Sequence, residues 1–492
     1  MGRKSRKKNE HREANRPSDL SAHKRLGKTL GPPLASIPNL RTRSWINDGL
    51  PEYIWASLLL VAGPREAVLE VFRELGQRVH ALGENAVTDV SLSGIAHDLP
   101  QSKETVVDFI CQSPLAKAVL APMLLFPSLP ARQVWEEAIH LDPPGDAWDR
   151  IAKSVLETLD HQSQMATDIR WLSVLPMVAA GRIRFPTEYA NTIREIELYP
   201  HLGDQRSVRP TIRSMELAVS GSMASDYPRT WSGEFWIHCK RSTGCAPLGS
   251  YYPVAATSKG TTRKIVDDVH KTLLEHCLAT STTTAVDPKH DTTFGTALYA
   301  IQLVREAMAI GASTSLSGRF VLRGVLELFV TIAYLTKRND DELWKSYRVY
   351  GSGQAKLSSL KIDASSEKPN GVSVQTLEAL ANEDIWQEFL TIDLGHWDNS
   401  NTRKMSEDAG VKDYYDRYYP WTSMYIHGHW GALRTTVFDT CANPLHRLHR
   451  IPRETVQAQP DILPDVVRLT DRILSLLGRL YPPFSKRLSS AE

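Results

Sequence analysis

From Phe320 to Leu335 the chain is apolar on nearly every side of a helix, and only Arg323 and Glu327 interrupt the run. At 3.6 residues per turn, Phe320, Val321, Leu322, Val325, Leu326 and Phe329 leave almost no wet face, so this helix belongs at the centre of a bundle. It is too short and too charged to span a bilayer, which needs roughly 20 consecutive apolar residues. The next candidate, Leu115 to Phe126, carries Lys117 and Pro122. A membrane protein is therefore not expected. Arg323 and Glu327 sit one turn apart and can pair. A lone buried charge is costly, so each needs the other or a neighbour from another helix. That pair either fixes the register of the bundle or holds a guanidinium ready for an anionic group.

A second pattern lies downstream, where Tyr415, Tyr419, Ser423 and His427 follow at four-residue steps and close on His427-Gly428-His429. Four residues advance about 400° around a helix, so the four side chains form a slowly drifting stripe. Pro420 is expected to make the helix restart, because it removes one hydrogen bond and crowds the preceding turn. Ser423 and His427 then share one continuous helix. Gly428 weakens a helix by about 1 kcal/mol relative to Ala, which points to close packing or ligand access there.

Histidine exchanges a proton near neutral pH, Ser423 can orient it, and Arg323 can hold a phosphate. These parts suffice for metal-independent RNA cleavage, in which the ribose 2′-hydroxyl attacks its own phosphate. They equally suffice for an inert hydrogen-bond network in a non-catalytic interaction or scaffold protein. A Ser/His hydrolase is weaker, since no Gly-x-Ser-x-Gly turn is present. The candidate catalytic residues are His427, Arg323, Glu327 and Ser423, with Tyr415, Tyr419 and His429 as candidate binding residues.

At 492 residues the chain exceeds what one core usually serves, and two domains are expected. Residues 1–43 read as a basic, disordered arm, 44–240 as a helical N-terminal domain, 241–262 as a Gly/Pro/Ser/Thr-rich linker, 263–482 as a helical bundle with the polar cluster, and 483–492 as a tail. Asp48 can cap the first long helix, and Pro51 suits its first turn. Strand-like alternation is scarce, although Trp231 to Trp236 reads as a short extended piece. No fixed repeat supports a solenoid. The expected fold class is all-α: an irregular N-terminal helical array followed by a C-terminal helical bundle.

The net charge of +2 conceals an arm of +7 over Met1 to Lys28, leaving −5 for the remainder. Arg3, Lys4, Arg6, Lys7 and Lys8 make that arm a candidate contact for nucleic acid through counterion release. The N-terminus lacks the apolar core of a secretory signal, and five scattered cysteines suit a reducing cytosol, so a cytoplasmic protein is expected. His238, Cys239 and Cys245 invite a zinc reading, but no second pair completes four ligands at usual spacing. His446 and His449, beside Arg447 and Arg450, read as a surface basic patch. No metal site and no cofactor are expected.

Arg323-x-x-x-Glu327, the Gly395-His396-Trp397 turn and Tyr415-x-x-x-Tyr419-x-x-x-Ser423-x-x-x-His427 together resemble a bacterial helical family of unknown function. The resemblance covers roughly Thr293 to Arg434, and His23 through Trp55 is similar to the N-terminal portion of longer relatives. Such proteins are likened to the HEPN group, whose helical domains include RNases of toxin and phage-defence systems. The resemblance implies an RNA-cleaving or RNA-binding effector in bacterial defence, with RNA as partner and a homodimer as a candidate assembly.

Overall fold

The computed structural model describes residues 21, 23–26, 29–31, 44–82, 87, 89–180, 190–199, 208–222, 229–248, 261–367, 369–383, 390–398, 400–454 and 457–489. The lysines and arginines from Arg3 to Lys8, most of the expected linker after Leu248, and the last residues of the tail lie outside them. Helix dominates, and β structure among the described residues is limited to two two-stranded sheets and an isolated bridge between Pro247 and Cys441. One is an antiparallel pair of Lys24–Leu26 with Thr29–Gly31, inside the arm expected to be disordered. No helix of the described residues is long and apolar enough to cross a membrane.

The chain forms two compact units. The first comprises residues 1–248 and 440–450, and the second comprises 249–439 and 451–492. Residues 440–450, expected in the C-terminal bundle, thus belong with the N-terminal unit. The reason is apolar burial: Leu445 lies in the core of the first unit.

In the first unit the chain enters through a short π-helical turn at Trp45–Gly49, where Ser44 Oγ accepts from Asn47 N (3.1 Å) and Asp48 Oδ2 accepts from Ser44 N (3.0 Å). Ser44 therefore does the capping expected of Asp48, and Asp48 reciprocates. Helices α1 (Ile54–Ala62) and α2 (Arg65–Ala81) follow, then α3 (Ala147–Leu159), α4 (Gln164–Ala179), α5 (Arg209–Ser222) and α6 (Trp231–Ser242). Helix α1 is buried on most sides and packs on α3, whose Ile151 and Val155 are buried at helical spacing. Helix α4 packs against both α2 and α5. Gly76 permits that approach, because a Cβ there would meet Leu175 at 2.8 Å. The stretch Trp231 to Trp236, expected to be extended, is the first half of α6. Trp231, Phe235 and Cys239 recur every four residues and are all buried, so tertiary burial on one helical face decides its conformation.

The second unit is a bundle of α7 (Arg263–Thr280), α8 (Pro288–Ala309), α9 (Leu316–Arg338), α10 (Asp341–Asp363), α11 (Thr402–Asp408), α12 (Lys412–Ile426), α13 (Trp430–Thr436) and α14 (Leu463–Leu480). Helix α9 holds the central position expected of it, touching α8, α11, α12 and α14. It keeps one wet edge, since Phe320 is 45% exposed. Leu322, Val325, Leu326, Val330 and Ile332 supply its dry faces.

Candidate functional site

Helices α9 and α12 bring the predicted cluster together, with one exception. Arg323 is buried, and its Nε donates to Glu327 Oε1 at 2.9 Å, one helical turn away. Its Nη1 donates to Ser423 Oγ (2.7 Å) and to the backbone carbonyl of Tyr419 (3.1 Å), so the guanidinium ties α9 to α12. The guanidinium carbon also lies 3.1 Å from the centroid of the Tyr419 ring, which supplies a cation–π contact. Tyr415 stacks on Tyr419 with ring centroids 4.3 Å apart. Burial, and then the neighbouring Tyr419, push the Tyr415 phenol above its ordinary range, so it stays neutral. Glu327 differs from its partner: its side chain is 45% exposed, against 7% for Arg323.

The exception is His427. Helix α12 ends at Ile426, and His427 is its exposed C-cap. Its ring stacks with that of His429 at 5.7 Å; its backbone N donates to Ser423 O (3.0 Å), but among the described residues no hydrogen bond joins its imidazole to Ser423 or Arg323. Ser423 instead uses its hydroxyl as an acceptor for Arg323. His429 is also exposed and caps the start of α13.

Two sequence expectations about this helix change. Helix α12 runs unbroken through Pro420 rather than restarting. Proline leaves the carbonyl four residues earlier, on exposed Asp416, without its helical donor, and water can satisfy it there. Gly428 is explained by helix termination. It adopts φ +58°, His429 N donates to Met424 O (2.8 Å) and Gly428 N to Tyr425 O (3.4 Å), which together form a Schellman cap.

Sequence reasoning missed Arg319, one turn before Arg323 and fully buried. Its Nη1 donates to Ser315 O (3.0 Å) and its Nη2 to Pro460 O (2.7 Å), while Trp421 and Tyr425 each lie 5.8 Å from the guanidinium. Burial pushes its pKa below the usual arginine value. The signal was available: Arg319-x-x-x-Arg323 repeats the spacing of Arg323-x-x-x-Glu327.

The Gly395-His396-Trp397 turn does not join the Arg323 set. Trp397 packs edge-on against Tyr347 (5.2 Å) and Tyr334 (6.0 Å), and Tyr334 hydrogen-bonds Asp398. His396 and Trp397 line a cleft of about 620 Å³ with Arg348, Tyr350 and Asp291, in which Arg348 is paired to Asp291 at 2.9 Å.

In the first unit, the three residues that suggested zinc separate. The His238 ring packs near Phe126 and Trp148, and Cys239 is buried in the core. Cys245 meets Cys441, His446 and His449. His446 is 5% exposed, which replaces the expected surface patch with a half-buried cluster.

Residues 300–442 match a family of unknown function, DUF5677. This span contains the whole Arg323 to His427 set and covers under a third of the chain. No curated protein and no solved structure matches.

Proposed function

We propose that the second unit acts on RNA, as a HEPN-like RNA-binding or RNA-cleaving effector whose working groups are the exposed histidines at the end of α12. The observation that carries this reading is the placement of His427 and His429 at the surface, directly after the turn that Arg323 anchors. His427 is the acid/base for attack of the ribose 2′-hydroxyl on its phosphate, a role that needs an imidazole the substrate can reach. His429 and Tyr415, the outer ring of the stack that Tyr419 joins to Arg323, offer aromatic surface on which unpaired bases can lie. Arg323, Glu327 and Ser423 act as positioning residues, with the half-exposed Glu327 at the rim. The defence setting rests on the sequence resemblance alone.

The competing reading is a non-catalytic interaction protein whose polar cluster only specifies packing. It has an observation of its own: the Arg323 donors end on Tyr419 O and Ser423 Oγ, which lock two helices with no ligand involved.

Purified full-length protein, His427→Ala and Arg323→Lys are to be incubated with single-stranded RNA in the presence of chelator. Cleavage or binding that His427→Ala abolishes, with thermal melting unchanged, supports action on RNA. Wild-type protein that neither binds nor cuts RNA leaves the packing reading standing.

A further inference from the structure

The geometry points to a structural zinc site in the first unit, formed by Cys245, Cys441, His446 and His449. Their four ligand atoms all lie within 4.8 Å of one another. Cys245 Sγ is 3.7 Å from His449 Nδ1, and Cys441 Sγ is 3.3 Å from His446 Nδ1. A tetrahedral zinc ion with Zn–S near 2.3 Å and Zn–N near 2.0–2.1 Å places its ligands about 3.3 to 3.8 Å apart. The two measured separations fall in that interval. Two thiolates and two imidazoles are the donor set that zinc prefers, and four protein ligands leave no open position, which marks a structural rather than a catalytic site.

The surrounding hydrogen bonds are those that such a site needs. Thr243 Oγ1 donates its one proton to Cys239 O (2.8 Å). It must therefore accept from His446 Nε2, 2.9 Å away, and from Asn443 Nδ2 at 3.2 Å. That fixes the His446 tautomer: Nε2 carries the proton, and Nδ1 presents its lone pair toward Cys441. Both sulfurs receive donors, Cys441 from Ala246 N (3.3 Å) and Cys245 from Lys240 Nζ (2.9 Å), as outer partners of a coordinated sulfur would.

The backbone wraps the ligands in place. Arg447 and Leu448 both adopt positive φ (41° and 56°), which swings His449 back so that its carbonyl accepts from Cys441 N at 2.9 Å. Leu445 anchors this loop in the core. Cys245 and His449 are 204 residues apart in sequence. A metal joining them fastens residues 440–450 to the end of α6, and its binding energy becomes folding energy for that segment.

The test uses the full chain, purified reduced, stripped with chelator and titrated with Zn²⁺ or Co²⁺. Expected are one metal per chain by elemental analysis and the intense visible bands of tetrahedral Co²⁺ with thiolate ligands. Cys245→Ser, at an exposed position, should fold and lose affinity by at least tenfold, and Thr243→Val by about tenfold. Cys277→Ser, outside the cluster, should bind as wild type. Hydrogen exchange should show the Cys441 and His449 amides losing protection when metal is removed. The proposal is overturned if the reduced, folded chain binds neither metal, if Cys245→Ser binds as tightly as wild type, or if mass spectrometry finds Cys245 and Cys441 joined as a disulfide in metal-free protein.

Discussion

Both units bring an arginine, a carboxylate and a tyrosine together, but they bury opposite partners of the ion pair. In the first unit Asp168 on α4 is fully buried: Arg65 donates to both of its oxygens at 2.8 Å, and Tyr199 Oη donates to one of them at 2.6 Å. In the second unit Arg323 is the buried member, and its carboxylate, Glu327, is half in water. A fork of two parallel bonds with a third donor consumes the carboxylate within the fold. The Arg323 cluster instead ties α9 to the last turns of α12, whose C-cap, His427, leaves its ring exposed beside that of His429. The contrast teaches that polar residues in a helical core do not mark function by being buried. What sets the second cluster apart is the pair of exposed imidazoles just beyond it.

Substitutions can break this comparison, and their expected costs descend in order. Asp168→Ala strands a half-buried guanidinium and a buried phenol, and should cost about 3–5 kcal/mol in urea unfolding. A loss below that of Arg323→Ala would reverse the contrast. Arg323→Ala removes charge-assisted bonds to Ser423 and Tyr419 and should cost about 1.5–3 kcal/mol. Glu327→Gln, half exposed, should change stability by less than about 1 kcal/mol, and an equal effect from Glu327→Gln and Arg323→Ala would mean that the ion pair alone holds the helices. His427→Ala should fall within about 0.5 kcal/mol of wild type while removing any action on RNA. A large melting shift from that exposed cap would place His427 in the packing instead.

Much of the fold was readable because burial imprints a 3.6-residue period. The apolar run from Phe320 to Leu335 is the middle of α9 (Leu316–Arg338), and Arg323 makes the pairing with Glu327 that their spacing allows. Trp231 to Trp236 misled because aromatic density also favours strands, and six residues are too few to separate a period of 2 from one of 3.6. Pro420 misled because its rule concerns a missing hydrogen bond, whereas the cost depends on whether water reaches the orphaned carbonyl. Gly428 was noticed for its helix-weakening effect, yet its positive φ makes it a terminator.

Local pattern, then, determined the helices, the central position of α9 and the stripe from Tyr415 to Ser423, since each depends on neighbours within one or two turns. Tertiary structure alone decided that Ser423 serves Arg323 rather than His427, and that Cys245 meets Cys441, His446 and His449. Those encounters join residues about 100 and about 200 positions apart, where spacing carries no information about contact. Only packing of the cores brings such segments within reach of a hydrogen bond or a metal ion.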